Sequence, residues 1–261
     1  MKIDQAYIRP SMDRVFPMFR GRWGLKPYAD RRRPAVLFGC YGDAELRLVD
    51  RHRAPLIMVW LGSDFALFGT RPVWRRADVH HVAIGPWLAR DLEAAGLPYR
   101  RLNLVGSPLV DQLSPEPLGT AVYSYMKPSK LELYGGDVLD AVRAALPDVE
   151  FIVFNEAEVP QSQMPDVYRR CALGLRLTRH DGGSEGVVEM GLMGRRSVHN
   201  GDTPASLPWR DAEDVVRAIE AEIQLAGKTL YGTASAMREH IATSDEWLDL
   251  RTWSRELERA A

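Results

Sequence analysis

The sequence predicts an α/β protein built from two doubly wound, Rossmann-like lobes with a helical C-terminal extension. Three observations predict it. Short apolar, β-branched runs alternate with amphipathic helical stretches along residues 35–200. A proline-rich segment, GSPLVDQLSPEPLG (106–119), interrupts the alternation once, near the middle. After residue 210 the strand signal stops and only helical periodicity remains. Strands separated by helices imply parallel pairing with right-handed crossovers, and one interruption divides them into two series.

In the first series, AVLFGCY (35–41), PLIMVW (55–60), VHHVAIG (79–85) and RRLNLV (100–105) read as strands. Residues 43–52 and 87–96 read as helices, the second ending at Gly96 before Pro98. In the second series, strands over 120–126, 150–155, 173–178 and 196–200 alternate with helices over 136–146, near 165–171 and near 184–193. A helix over 211–226 places Val215, Ile219 and Ile223 four apart. Another over 245–259 aligns Trp247, Leu250, Trp253 and Leu257 in one stripe, a pattern of core anchors that need a surface to cover. The domain reading is therefore 1–112 for the first lobe, 113–226 for the second, and 227–261 for helices packing back on the first lobe.

The 261 residues are 46% hydrophobic and 26% charged, enough for a sizeable core. No run approaches the length of a membrane span, and MKIDQAYIRP has no apolar signal region, so the expected compartment is the cytoplasm. Cys40 and Cys171 lie in apolar segments and read as buried free thiols. The formal charge is −1, yet residues 1–35 carry nine basic side chains against Asp4, Asp13 and Asp30. Such a segment is either a footprint for a polyanion or an ordinary solvated face.

The densest chemistry lies in RLTRHDGGSEGVVEMGLMGRRSVHNGD (176–202). A strand runs into a loop with Asp181, Gly182 and Gly183, and Ser184 is placed to cap the helix that follows. Free amides at that helix start can hold a phosphate, while Glu185 and Glu189, four apart, can accept hydrogen bonds from ribose hydroxyls. The alternative is a glycine-rich turn with a simple cap.

The run D-GGSEGVV-E-MGLMG-RRSV resembles the motif of two acids with seven residues between them in retaining glycosyltransferases of the GT-B fold, the family that includes glycogen and sucrose synthases. The resemblance implies Glu189 for the donor ribose, Asp181 near the donor sugar, and the intervening amides for the diphosphate. Two departures are Asp181 where Glu is usual and Met190-Gly191 where Glu-Ala is common. In this family a basic pair after the first strand of the second lobe neutralises the diphosphate, which points to Lys127 and Lys130, with Arg179 and His180 adding to the field. A solvated face is the alternative for the lysines.

In the first lobe, Gly39-Cys40-Tyr41-Gly42 and Trp60-Leu61-Gly62-Ser63-Asp64 close two strands, at the ends where open sheets place ligands. Gly39 and Gly42 are donor-side candidates. The Gly-Ser-Asp turn is similar to the acceptor-side turn of these transferases, with Trp60 and Leu61 in place of the usual histidine. Asp64 is then a sugar contact or base, or else a cap for its own turn. FRGRWGLKPY (19–28) and VWLGSD (59–64) resemble small phage-borne glycosyltransferases, some of which modify hydroxymethylated pyrimidines in DNA. That resemblance implies DNA as an acceptor, the host cytoplasm as compartment, Arg20, Arg22, Arg31, Arg32 and Arg33 on phosphates, and Trp23 or Tyr28 stacked on an extruded base.

The expected function is transfer of a sugar from a nucleoside diphosphate donor, held in the cleft between the lobes, to a hydroxyl, with retention and without a metal. The rivals are a carbohydrate-directed transferase, an epimerase or phosphorylase on the same scaffold, and a non-catalytic nucleotide-sugar-binding module. His80 and His81 are adjacent and point to opposite faces of a strand, no Asp-x-Asp closes a strand, and neither Gly-x-Gly-x-x-Gly nor Gly-x-x-x-x-Gly-Lys occurs.

Overall fold

The computed structural model describes residues 3–10, 24–105, 107–154, 159–179 and 183–241. The chain forms two compact units, one built on the residues up to Pro108 and the other on Leu109–His180 with Ser184–His240. Every paired strand in both is parallel.

The first unit holds a six-stranded sheet in the order β2-β1-β3-β4-β5-β6, formed by β1 (Gln5–Ile8), β2 (Lys26–Pro27), β3 (Ala35–Phe38), β4 (Leu56–Trp60), β5 (Val79–Ala83) and β6 (Tyr99–Arg101). Helices α1 (Asp43–Arg51), α2 (Ser63–Phe68) and α3 (Pro86–Ala94) connect them. Both faces of the sheet are covered, so the central strands are buried at every position. Leu37, Met58 and Trp60 pack on one face with Leu88 and Leu92 of α3, while Val36, Phe38, Ile57 and Val59 pack on the other with Ile3 and Leu25. Trp60 is enclosed by Phe65 and Trp74, each with ring centroids 4.9 Å away, and its indole N–H donates to His81 Nδ1 at 3.1 Å.

The second unit holds a five-stranded sheet in the order β11-β10-β9-β7-β8, from β7 (Ala121–Tyr125), β8 (Phe151–Phe154), β9 (Cys171–Leu175), β10 (Arg196–Val198) and β11 (Ser206–Leu207). Its helices are α4 (Gly136–Ala145), α5 (Met164–Arg169), α6 (Glu185–Leu192), α7 (Ala212–Ile223) and α8 (Tyr231–His240). Val215 and Ile219 of α7, on the four-residue spacing seen in the sequence, are fully buried against Val122, Leu173 and Val198. Helix α8 packs on α6: a Cβ at Gly191 would meet Met237 at 2.6 Å. Of the stretch 227–261 assigned to cover the first lobe, Tyr231–His240 thus packs within the second unit, and 242–261 lie outside the described residues.

Two contacts fix the entry to this unit. At Gly119 a Cβ would stand 2.0 Å from the Arg170 carbonyl oxygen, so the chain passes only because the residue lacks a side chain. Beside it the fully buried Arg195 donates through Nε to Tyr168 O (2.7 Å), through Nη1 to Met193 O (2.6 Å) and Glu116 O (3.4 Å), and through Nη2 to Pro117 O (2.8 Å) and Arg169 O (3.3 Å). Its planar fork of donors ties the incoming segment to the ends of α5 and α6. Cys40 and Cys171 are free and buried, as expected, and burial pushes both thiols up to about 12.

Candidate functional site

Each sheet reverses its strand order once. The first does so between β1 and β3, since the chain leaves β1 for β2 on one side and then for β3 on the other. The second does so between β7 and β9. In open parallel sheets the crevice outside the carboxyl ends of the strands at such a point is where ligands bind.

In the second unit the carboxyl end of β7 runs into Tyr125, Met126 and Lys127, and that of β9 into Arg176, Leu177, Thr178 and Arg179; Ser124 and Leu175 are register partners. Lys127 opens the 3-10 turn Pro128–Lys130, whose last residue is exposed. Arg179 is also exposed. Arg176, which sequence reasoning passed over, lies with its guanidinium carbon 4.9 Å from the Tyr134 ring centroid and 5.9 Å from that of Tyr125, and the two rings meet edge to face at 5.1 Å. The signal that could have found it is an arginine immediately past an apolar strand, with tyrosines at the end of the neighbouring one.

Helix α6 starts from the same edge. Ser184 is its N-cap, accepting from the Val187 amide at 3.4 Å, and Gly183 before it is exposed. Glu185 stands in the first turn, half-buried. One turn on, Glu189 is only 3% exposed and its Oε2 accepts the Tyr168 hydroxyl at 2.7 Å. Burial first, then the Glu189 charge, holds the Tyr168 phenol well above its usual range, so it remains a donor. His180, Asp181 and Gly182 lie outside the described residues.

In the first unit Asp64 is fully buried. Its Oδ1 accepts the amides of Gly62 (2.8 Å) and Leu61 (3.1 Å), and its Oδ2 accepts that of Cys40 (3.2 Å). The carboxylate therefore stitches the turn after β3 to the turn after β4, and in this conformation it offers no surface to a solute. Burial pushes its pKa up to about 6, against the pull of those amides. Gly39 takes φ +73, where a Cβ would strike the Tyr41 ring at 2.6 Å, and Gly42 is extended before α1. Both sit past the carboxyl end of β3.

Arg31, Arg32 and Arg33 lie elsewhere. Ala35, which follows them, pairs with Gln5 at the first residue of β1, and the Arg53 amide donates to Arg31 O just before β4 begins. These arginines are exposed at the amino edge of the sheet, opposite the edge that carries Gly39 and Gly42. Arg31 and Arg32 line a hollow of about 590 Å³ with Tyr28 and Arg51. Arg20, Arg22 and Trp23 lie outside the described residues.

Among the described residues no group of three His, Cys, Asp or Glu could hold a metal ion, and no helix is long and apolar enough to cross a membrane. His80 and His81 are buried in β5, and burial holds His81 down to about 4, where it is neutral between Trp60 and the Trp74 carbonyl.

The fold has solved counterparts. The chain is similar to sucrose-phosphate synthase from Thermosynechococcus elongatus, with a TM-score of 0.61 and 13% identity over 98% of this chain and 81% of that one. It is also similar to TarM: a variant from S. aureus in complex with Fondaparinux, alpha-GlcNAc-glycerol and UDP (TM-score 0.59, 11% identity, 83% of this chain and 55% of that one), and a second TarM structure (0.57, 10%, 86% and 54%). No family model matches the sequence, and no curated protein matches it. The likeness is one of fold: two α/β units with parallel sheets.

Proposed function

We propose that this chain is a GT-B-type glycosyltransferase that moves a sugar from a nucleoside diphosphate donor to a hydroxyl. The observation that carries the reading is Glu189, a buried carboxylate oriented by Tyr168 on a helix whose capped N-terminus opens at the strand-order reversal of the second sheet. A carboxylate there can accept from the hydroxyls of a ribose, and the amides at the start of α6 suit the diphosphate. UDP bound to TarM, a protein of similar fold, supports a nucleotide as ligand.

In this reading the acceptor oxygen bonds to the anomeric carbon as the bond from that carbon to the diphosphate oxygen breaks. The acceptor proton passes to the departing phosphate oxygen on the same face, giving retention without a separate base. Lys127, with Lys130, Arg179 and His180, offsets the negative charge growing on the leaving group, and no metal is needed. Asp181 serves the donor sugar. Asp64 positions the turns of the first unit and does not deprotonate.

A thermal-shift and calorimetric panel of UDP-, GDP-, ADP- and CMP-sugars tests the donor reading, because a ligand that binds only the folded state raises its melting temperature. Binding of none would overturn it, and binding without slow donor hydrolysis would favour a non-catalytic module.

For the acceptor, alpha-GlcNAc-glycerol bound to TarM supports a saccharide or polyol. The second reading, hydroxymethylated pyrimidine in DNA, draws on the basic first 35 residues and on the hollow lined by Tyr28, Arg31, Arg32 and Arg51. Its weakness is position, since that hollow is at the amino edge of the sheet. DNA binding whose log K falls by about 0.9 per neutralised phosphate with log salt, flattened by Arg31→Ala, together with mass gain on hydroxymethylated duplex alone, would establish it.

A further inference from the structure

The arginines at the amino edge of the first sheet fall into two groups. Arg33 is bridged to Asp4, Arg76 donates to Asp78 Oδ1 at 2.9 Å, and Arg53 donates to the carbonyls of Asp50 (2.6 Å) and His52 (3.0 Å). Arg31, Arg32 and Arg51 are exposed, and among the described residues their side chains make no hydrogen bond or ion pair. These same three line the hollow of about 590 Å³. The uncommitted positive charge of this edge is therefore gathered around one space.

Like charges held around a space repel one another, and an anion between them removes that repulsion. Arg51 closes α1, where a cation offsets the helix dipole, but that accounts for neither Arg31 nor Arg32. Guanidinium groups with unused in-plane donors grip phosphate oxygens in pairs. The one acid of the lining, Asp30, has its Oδ1 turned to the Arg32 amide at 2.8 Å. The rest of the wall includes Leu48 and the ring of Tyr28, whose hydroxyl lies 3.1 Å from His52 Nδ1 and fixes the ring in place. The volume is in the range that takes a whole small molecule. A phosphodiester chain needs a basic stripe that runs on beyond one space, whereas here the arginines next in the chain, Arg33 and Arg53, are already engaged.

We propose that this hollow is a binding site for a compact, multiply charged organic phosphate, with Arg31, Arg32 and Arg51 on the phosphate oxygens and Tyr28 and Leu48 against the organic part. The site is at the amino edge, opposite the edge that carries Gly39 and Gly42, so its occupant is an effector and neither donor nor acceptor. The inference does not rest on the glycosyltransferase reading, and it differs from the second acceptor reading above, which needs a nucleic-acid chain.

The test is calorimetry on the full chain with ATP and, separately, a single-stranded oligothymidylate as probes. ATP should bind the wild type at a site whose affinity falls by about tenfold or more in Arg31→Ala and in Arg51→Ala, as expected for loss of a charged hydrogen bond. Neither side chain is engaged in the free protein, so both variants should keep the wild-type melting temperature. Arg143→Ala removes the same charge from an exposed position of the second unit and should leave ATP affinity unchanged. No ATP binding to the wild type overturns the site. So does an affinity unchanged in both variants, which is the result if ATP binds only at the donor crevice, or a loss matched by Arg143→Ala. Oligothymidylate binding that is tighter than ATP binding and is lost in the same two variants overturns the compact ligand in favour of a nucleic-acid chain.

Discussion

Replacing Asp64 by Asn should change how the stability of the protein depends on pH, with a sign opposite to that of an ordinary paired carboxylate. Burial raises the folded-state pKa to about 6, whereas an unfolded chain titrates near ~3.9. Between those values the native form binds the proton and the unfolded form does not. The contribution of Asp64 is thus complete below about pH 4 and is lost as pH rises through about 6. A difference of about two pK units corresponds to about 3 kcal/mol. Urea denaturation at half-unit steps from pH 4 to 7.5, on wild type and Asp64→Asn, isolates the effect as the difference between the two curves, because every other carboxylate contributes equally to both. The wild type should lose about 2.4 kcal/mol relative to the variant across this range, the remainder of the change falling below pH 4, and the difference should be level above pH 7. Asn keeps one acceptor for amides that Asp64 meets with two, so the variant should be less stable at every pH, by roughly 1–3 kcal/mol per amide left unmet. Parallel curves from pH 4 to 7 would refute the argument that this buried carboxyl titrates near neutrality.

Glu189→Gln should weaken binding of the cognate nucleoside diphosphate by about 1.5–3 kcal/mol in calorimetry, while the melting temperature moves little because Gln can still accept from Tyr168; unchanged affinity removes Glu189 from the site. Lys127→Ala with Lys130→Ala should lower kcat more than acceptor KM, and EDTA should leave the rate unchanged; abolition by chelator that added metal restores would refute the charge role given to the lysines. Gly119→Ala should destabilise the second unit by more than about 2 kcal/mol in denaturant titration, since the new Cβ meets a backbone oxygen at 2.0 Å that cannot swing aside. Full stability in that variant would mean the strand entry is softer than its packing implies.

Much of the fold was legible because its central strands are apolar runs with turn residues at both ends. LIMVW (56–60) and AVYSY (121–125) needed no tertiary information, and α7 showed its stripe directly. What escaped detection had a specific cause. Strand β1 begins with Gln5, which is buried yet polar because its amide binds Asp30 O, Arg33 O and the amides of Ala29 and Asp30, so no apolar pattern marks it. Strands β2 and β11 have two residues each, too few for any period. The strand expected over 173–178 occupies Cys171–Leu175, because Leu177 is buried beyond the strand and extended the apolar run. At the site, the cap by Ser184 was readable from order alone, whereas the burial of Asp64 and of Glu45 was not: an acid in the first turn of a helix usually faces water. The position of Arg31–Arg33 depended on where β1 lies, and β1 was the strand that composition concealed.

The Arg195 anchor carries a consequence for how this protein can change over generations. All five of its contacts are main-chain oxygens, supplied by Glu116, Pro117, Tyr168, Arg169 and Met193. A carbonyl is contributed by every amino acid, so substitution at those five positions leaves the anchor intact as long as the backbone holds its path. Arg195 has no such freedom, since lysine offers a point charge in place of a fork and cannot reach five oxygens at once. Among descendants of this chain positions 116 and 117 can therefore drift in sequence without loss of this anchor, their backbone path being fixed by one arginine distant from them in the chain.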